Sequence, residues 1–444
     1  MTQLSVIGCG YLGAVHAACM ADLGHEVVGV DVDPDKVAQL AAGKAPFHEP
    51  GFDDLLQRAI ASGRLRFTTD IAEVHGSQVH FICVGTPQQA GRNAADLTYV
   101  HAAVEALLPH LAVHADGPVV VVGKSTVPVG TAAEIAARID ADAPGSGASL
   151  VWNPEFLREG FAIQDTVAPD RIVYGLGPGD RGQAARVVLD TVYASQLERH
   201  TPLITTDYAT AELVKVAANS FLATKISFIN AMAELCEATG ADVTQLAEAI
   251  GHDERIGPKF LRAGVGFGGG CLPKDIRAFM ARAGELGVDQ ALTFLREVDA
   301  INLRRRTHVV ELARTACGGD LSGARVTVLG AAFKPHSDDV RDSPALEVAS
   351  TIAGAGAHVT ITDPAALENV RRVRPDLNLA ADPLEAADRA DVVVLLTEWE
   401  EYVTLDPEQL GTVVAHRQVI DGRNALDPVR WRAAGWTYTG LGRP

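Results

Sequence analysis

Val6-Ile7-Gly8-Cys9-Gly10-Tyr11-Leu12-Gly13 passes from a β-branched run through three spaced glycines into a helical pattern, and its reading decides the fold. The first glycine allows a tight turn, the second lets backbone approach a pyrophosphate, and the third permits close packing of helix on strand. The following helix turns the positive end of its dipole toward an anion on that turn. Such spacing also serves geometry alone, so context decides. Here the turn stands between strand and helix at the N-terminus, and a second strand-like run ends in Val30-Asp31. An aspartate at that distance meets adenosine ribose hydroxyls and repels a 2′-phosphate, which favours NAD over NADP. Asp31 also has a plain structural reading, as a strand-terminal residue closing the turn into Asp33-Pro34. Lys36 reads equally as a ribose contact or a solvated lysine.

Outward from this turn, residues 4–7, 27–30, 79–84 and 119–122 read as buried strands separated by amphipathic segments. That alternation signals a parallel sheet covered by helices, and residues 150–152 and 172–174 extend it. From about Asp207 the pattern becomes helical. Residues 210–239 hold no proline or glycine and end at Gly240; a helix of about 30 residues spans about 45 Å, enough to link two domains. A second helical block follows, interrupted by the glycine-rich residues 264–270. After Cys317-Gly318-Gly319-Asp320 the alternation returns, with strands at 326–329, 358–361, 392–396 and 418–420 and no second glycine fingerprint. The expected fold is α/β: two Rossmann-like parallel-sheet domains joined by a long central helix and helical region. The boundaries fall at 1–206 for the dinucleotide domain, 207–317 for the helical domain and 318–444 for the second Rossmann-like domain.

A chain of 444 residues, 47% hydrophobic and 21% charged, has globular composition and room for two or three cores. Its net charge of −18 argues against nucleic acid or an anionic membrane as partner. No apolar stretch is long enough to span a bilayer, and Met1-Thr2-Gln3-Leu4 enters a strand-like run without a charged leader, so a cytoplasmic location is expected. Six cysteines lack CxxC or zinc spacing and read as reduced thiols, with no metal site.

Gly266-Phe267-Gly268-Gly269-Gly270-Cys271-Leu272-Pro273-Lys274-Asp275 carries the most chemistry. Glycines before a cysteine let backbone approach a ligand, and a thiolate beside Lys274 and Asp275 suits attack on a carbonyl. On spacing alone, that reading and a buried cysteine beside a turn stand level. Lys215 and Asn219, four apart, share one helix face and could stabilise an oxyanion, or the lysine could act as base. A solvent-facing polar stripe fits their segment as well. Two loop motifs follow strands of the first sheet, where ligands gather: Lys124-Ser125-Thr126-Val127-Pro128, and Asn153-Pro154-Glu155-Phe156-Leu157-Arg158-Glu159-Gly160. Ordinary capping chemistry is the alternative for Thr126 and Glu159.

Taken together, these motifs resemble the UDP-glucose/GDP-mannose dehydrogenase family along essentially the whole chain. The resemblance also rests on Val84-Gly85-Thr86-Pro87, Ala332-Phe333-Lys334-Pro335 through Asp338-Asp339-Val340-Arg341, Thr397-Glu398-Trp399 and Asp421-Gly422-Arg423-Asn424. It implies Cys271 as nucleophile, Asp275 as the carboxylate orienting water, Lys215 and Asn219 as the oxyanion pair, and Thr126 and Glu155 in water positioning and proton transfer. It places Gly8, Gly10, Tyr11, Leu12, Gly13, Asp31, Lys36, Thr86, Pro87, Thr126, Glu159, Lys274 and Arg341 at the NAD cofactor. It places Glu155, Phe156, Leu157, Lys215, Asn219, Arg255, Phe260, Leu261, Phe267, Gly268, Lys334 and Arg423 at the nucleotide sugar, with Arg255 reaching across from a partner subunit.

The implied reaction is a four-electron oxidation of a hexose primary alcohol. Two hydrides leave C6 in succession, with a thiohemiacetal and then a thioester held on Cys271. UDP-glucose is the expected substrate, and a homodimer or higher homo-oligomer the expected assembly. Two positions depart from the family pattern: Gly270 stands where many members carry serine, and Leu272 where UDP-glucose enzymes often carry phenylalanine and GDP-mannose enzymes leucine. Ala231 stands where an acidic residue is common. Residues 260–267 read like the UDP-glucose branch. The competing readings are a GDP-mannose or UDP-N-acetylhexosamine dehydrogenase, a single-step β-hydroxyacid-type dehydrogenase that needs no cysteine, and a non-catalytic NAD-binding regulator.

Overall fold

The computed structural model describes residues 1–115 and 117–444. The chain forms two compact units: Met1–Ala218 with Arg277–Leu286, and Asn219–Ile276 with Gly287–Pro444.

The first unit is built on β1 (Gln3–Ile7), β2 (Glu26–Val30), β3 (Leu65–Thr68), β4 (Val79–Ile82), β5 (Val120–Gly123), β6 (Ser149–Trp152), β7 (Ile172–Leu176) and β8 (Leu203–Asp207). Their order is β3-β2-β1-β4-β5-β6-β7-β8. Leu4 pairs with Val27 on one side and Val79 on the other, so the strand order reverses at β1 and opens a crevice at its carboxyl end. All pairs are parallel except β6 with β7, which run antiparallel. Apolar clusters cover both faces. Leu4, Val6, Ala17, Met20, Phe52 and Leu189 belong to one, and Ile82, Val104, Val121, Ile135 and Trp152 to the other. Burial on both faces explains why the central strands read as continuous apolar runs. It also explains the helix Tyr11–Asp22, buried without a break from Gly13 to Ala21 and composed largely of small residues. The sequence reading passed over β3 and β8. They are the two edges of the sheet, and β8 has no buried residue.

The second unit carries β9 (Arg325–Leu329), β10 (His358–Thr362), β11 (Asn378–Leu379), β12 (Val392–Leu395), β13 (Gln418–Asp421) and β14 (Thr437–Gly440), ordered β11-β10-β9-β12-β13-β14 and parallel throughout. The order again reverses at the first strand, yet the segment after β9 does not enter a helix until Pro344. The Asp363 carboxylate accepts from the Ala331 and Ala332 N–H groups at 2.8 and 3.0 Å. No helix N-terminus therefore follows β9 directly, which accounts for the missing second fingerprint.

The expected long helix runs from Tyr208 to Thr239, 32 residues, or about 48 Å. The Asp207 carboxylate receives the Thr210 N–H at 2.8 Å at its start. At its end Gly240 takes a φ of +76°, the left-handed conformation that favours glycine. The helical block that follows contains Val243–Gly251, Leu272–Glu285 and Thr293–Ala316.

Candidate active site

At the carboxyl end of β1 the glycine turn has the geometry of a phosphate cradle. Gly8 adopts a φ of +90°, and a side chain at Gly13 would collide with the Gly8 carbonyl. A Cβ on Gly10 would meet nothing within 4 Å, and no side chain caps the helix that begins at Tyr11. Open approach over Gly10 and an uncapped helix N-terminus fit the pyrophosphate of a dinucleotide. Leu12 packs on the core beneath. Asp31, 7% exposed, binds the turn to the next segment: it accepts from Cys9 N–H at 2.8 Å, from Asp33 N–H at 3.1 Å and from Lys36 Nζ at 3.0 Å on both oxygens. The helix after it is capped by Asp33. Asp31 is thus a structural link whose carboxylate Lys36 already caps.

The two loops after β5 and β6 come next. The Thr86 hydroxyl donates to the Thr126 carbonyl at 2.8 Å and the Ser125 hydroxyl to the Val84 carbonyl at 2.7 Å, which ties the 84–87 and 124–128 segments together. The Pro87 carbonyl accepts from Asp96 N–H at 2.7 Å. Glu212, buried on the long helix, receives the Gly130 and Ala132 N–H groups at 2.8 and 2.7 Å, so it caps the helix Thr131–Asp142 from outside. Lys124 is buried, and its ammonium donates to Asn153 Oδ1 at 2.9 Å. In the 153–160 loop Glu155 faces Lys215, Nζ to Oε1 2.9 Å, and its other oxygen accepts from Leu157 N–H at 2.6 Å. Burial alone would raise the Glu155 carboxyl. The Lys215 ammonium, the Leu157 N–H and the more distant Lys124 outweigh it and hold the carboxyl below its usual value. Phe156 lies under the Arg171 guanidinium at 3.6 Å and 5.8 Å from Lys215 Nζ. Glu159 sits half-buried in the turn before the helix Ala162–Val167 and not in a helical first turn.

In the second unit Cys271 is exposed, whereas Cys9, Cys19, Cys83 and Cys236 are buried. The Cys271 carbonyl accepts the Asp275 N–H at 2.9 Å, which makes Cys271 the residue that opens the helix Leu272–Glu285. A thiol at a helix N-terminus is favoured as thiolate. Burial instead pushes the Cys19 and Cys83 thiols up to about 12. Asp275, 2% exposed, accepts from Asn219 Nδ2 at 2.7 Å and from Lys274 Nζ at 2.6 Å. Asn219 and Lys215 are 8% and 5% exposed, so the solvent-facing stripe does not describe them; Asn219 is held by the buried Asp275 carboxylate and Lys215 by the largely shielded Glu155 one.

The glycine stretch before Cys271 is held from behind. Asn302 accepts the Phe267 N–H at 2.7 Å and donates to its carbonyl at 2.9 Å, and Arg306 donates to that carbonyl at 3.0 Å. A Cβ at Gly268 would run into the Asp342 carbonyl. Phe267 and Leu261 have buried side chains, while Phe260 is 40% exposed with a φ of +65°. Arg423 donates to the carbonyls of Leu396, Gly266 and Phe333 at 2.6, 3.0 and 3.0 Å. Lys334 Nζ stands 5.3 Å from the Phe333 ring. Arg255 is exposed and pairs with Asp253 at 2.6 Å.

Three family models match in order along the chain: the NAD binding domain of the UDP-glucose/GDP-mannose dehydrogenase family over residues 2–196, its central domain over 209–304 and its UDP binding domain over 327–428. The chain belongs to the UDP-glucose/GDP-mannose dehydrogenase family. It is 44% identical over 443 residues to a UDP-glucose 6-dehydrogenase of Rhizobium meliloti, covering 100% of both chains. A UDP-glucose dehydrogenase structure from the archaeon Pyrobaculum islandicum matches with a TM-score of 0.90 at 40% identity, over 100% of this chain and 98% of that one. A UDP-D-ManNAc dehydrogenase structure from Pyrococcus horikoshii matches with a TM-score of 0.84 at 26% identity, over 99% of each chain.

A Cβ at Gly270 would stand 2.6 Å from the Arg341 guanidinium, which pairs with Asp339 at 2.7 Å. That guanidinium is the far end of a side chain 69% exposed and able to move aside, so nothing in the structure explains the glycine at this position. Sequence reasoning missed Glu212, Asn302 and Arg306, which act through backbone that distant segments supply. The one available signal was a carboxylate and an amide set in helices between apolar neighbours, Ala211 and Leu213 for Glu212 and Ile301 and Leu303 for Asn302; Arg306, in a run of three arginines, offered none.

Proposed function

We propose that the 6-hydroxymethyl group of UDP-glucose is oxidised to the carboxylate in two NAD-dependent steps, with Cys271 holding the sugar between them. The chain is an NAD-dependent oxidoreductase of its family, and its close relatives are UDP-glucose 6-dehydrogenases. The observation that carries the mechanism is the exposed Cys271 opening a helix whose first turn holds buried Asp275, bonded to buried Asn219 and to half-buried Lys274.

Bound NAD supplies the acceptor for one hydride in each oxidation. The first oxidation removes the 6-hydroxyl proton and a hydride from C6, leaving the aldehyde. The Glu155–Lys215 pair is the proton-transfer couple for that step. The Cys271 thiolate then adds to C6 to form a thiohemiacetal, and Lys215 and Asn219 stabilise the oxygen as it gains charge. Loss of the second hydride leaves a thioester. Water positioned by Thr126 and Asp275 cleaves it, releasing the carboxylate and returning the thiolate. Thioester hydrolysis is downhill, which makes the overall oxidation effectively irreversible. In this reading Asp31 and Lys36 flank the adenosine ribose, the Gly8–Gly13 turn takes the pyrophosphate, and Thr86, Pro87, Thr126, Glu159, Lys274 and Arg341 complete the cofactor contacts. Phe156, Leu157, Arg255, Phe260, Leu261, Phe267, Gly268, Lys334 and Arg423 form the nucleotide-sugar set; for Leu261 and Phe267, with buried side chains, contact falls to the main chain.

A panel of UDP-glucose, GDP-mannose and UDP-N-acetylhexosamines tests the substrate. The highest kcat/KM is expected for UDP-glucose, by at least about 100-fold, because a site built to hydrogen-bond one hydroxyl pattern rejects another strongly. A higher value for any other sugar overturns the assignment.

The assembly is proposed to be a homodimer. Phe221, Phe228 and Leu235 lie seven residues apart on the long helix and are 68%, 48% and 57% exposed, an apolar stripe of the kind helices bury against a partner. Phe228→Glu is expected to move the sedimentation profile from dimer toward monomer; a wild-type protein that is monomeric at micromolar concentration contradicts this. No described helix is long and apolar enough to cross a membrane. A cytoplasmic site of action is proposed, where the six free thiols stay reduced.

A further inference from the structure

Glu49 stands outside every motif discussed so far, in the turn before the helix Phe52–Ala61, and is 7% exposed. Its carboxylate collects donors from two separate functional segments. From the glycine turn, the Tyr11 hydroxyl donates to Oε2. From the end of the 153–160 loop, the Gly160 N–H reaches Oε2 at 2.7 Å and the Ala162 N–H reaches Oε1 at 2.8 Å. The Gly160 N–H also lies 3.0 Å from the Tyr11 oxygen, which closes a small ring of polar contacts. Phe47 braces the arrangement, with its ring 4.8 Å from that of Tyr11 and 5.3 Å from that of Phe52. No ion pair is recorded for Glu49 among the described residues, so two backbone N–H groups and a phenol satisfy its charge. A buried carboxylate held only by neutral donors is costly to keep without a purpose in positioning them. Two of those donors precede the helix Ala162–Val167 or open it, where negative charge is favoured.

We propose that Glu49 is a positioning residue that locks the dinucleotide-binding turn to the loop carrying Glu155. Through Tyr11 it fixes the start of the helix over which the pyrophosphate lies. Through Gly160 and Ala162 it fixes the far end of the 153–160 loop. The distance between cofactor turn and substrate loop is then set by one side chain that touches neither ligand.

This inference rests on the proposed dinucleotide site but not on the identity of the sugar. The test is calorimetric titration of the full-length protein with NAD alone, for wild type, Glu49→Gln, Tyr11→Phe and the double variant, with Tm and kcat recorded for each. A carboxamide cannot receive all three donors, and its NH2 opposes the Gly160 or Ala162 N–H. Glu49→Gln is therefore expected to weaken NAD binding about tenfold, the scale of a hydrogen bond to a charged group, and to keep kcat low when NAD is saturating. Tyr11→Phe removes one arm and is expected to have a smaller effect in the same direction. The double variant should bind NAD no more weakly than Glu49→Gln, because both changes break one linkage. Wild-type NAD affinity and kcat in folded Glu49→Gln would overturn the proposal, whatever happens to Tm. So would a double variant whose losses multiply. If Glu49→Gln does not fold, Glu49→Asp retains the charge but falls one methylene short, and the same comparison applies. Should UDP-glucose prove not to be the substrate, the NAD titration still reads out Glu49 by itself.

Discussion

Cys271→Ser is expected to lower the rate of carboxylate formation at least about 1000-fold, the scale on which loss of a covalent nucleophile is felt. A serine hydroxyl is not appreciably ionised near neutral pH and is a far weaker nucleophile than a cysteine thiolate. An oxygen ester is also a poorer intermediate to form and to cleave than a thioester. The neighbouring framework should persist: the Asn219 amide still donates to Asp275, and Asn302 and Arg306 still hold Phe267. The KM for UDP-glucose is therefore expected to change little while kcat collapses, the signature of an interaction made during the reaction and not in substrate binding. Steady-state kinetics of purified variant and wild type provide the check, and turnover within tenfold of wild type would remove Cys271 from the mechanism.

The second large effect is expected from Lys215→Met, which removes an oxyanion donor and strands Glu155. Loss of one such donor costs about 100- to 1000-fold in kcat. Stability should suffer as well. The Lys215 and Glu155 side chains are 7% and 14% exposed and 2.9 Å apart, and removing one partner of a buried pair costs about 3 kcal/mol or more. The pH dependence follows from the direction of the Glu155 shift. In the wild type the folded carboxyl lies below its usual value, so its contribution is present above the unfolded pKa, about 4.3, and is lost as pH falls through the folded one. Without Lys215 the burial penalty dominates and the folded pKa rises above the unfolded one. The ionised carboxylate then costs stability as pH climbs through that window. The Tm gap between variant and wild type should accordingly be widest near pH 7–8 and narrow toward pH 4. A gap independent of pH would show that the pair is not what stabilises the loop.

How much of this was legible in sequence depended on distance along the chain. The glycine turn, the central strands and the long helix each write their pattern within a few residues, because both-face burial demands continuous apolar runs and a helix demands uninterrupted spacing. The edge strands β3, β8, β11 and β14 were not legible, since short strands at or near an edge carry no such run. Cys271, Lys215, Asn219 and Asp275 could be singled out by residue type, but spacing alone left a buried thiol and a polar stripe as equal alternatives. In the structure Cys271 is exposed and the other three are buried, which a local pattern did not reveal; their roles belong to the proposed mechanism. Glu49, Glu212 and Asn302 could not be found this way. Each works by receiving or giving hydrogen bonds to backbone 35 to 113 residues distant, a relation that no local pattern encodes.

The most direct test of the central claim is to count NADH formed per UDP-glucose consumed, with NAD in excess and sugar limiting. A four-electron oxidation carried on Cys271 predicts two NADH per sugar and UDP-glucuronate as the product, with at most one NADH per sugar in Cys271→Ser. One NADH per sugar from the wild type, with Cys271→Ser indistinguishable from it, would contradict the account and leave a single-step alcohol dehydrogenase.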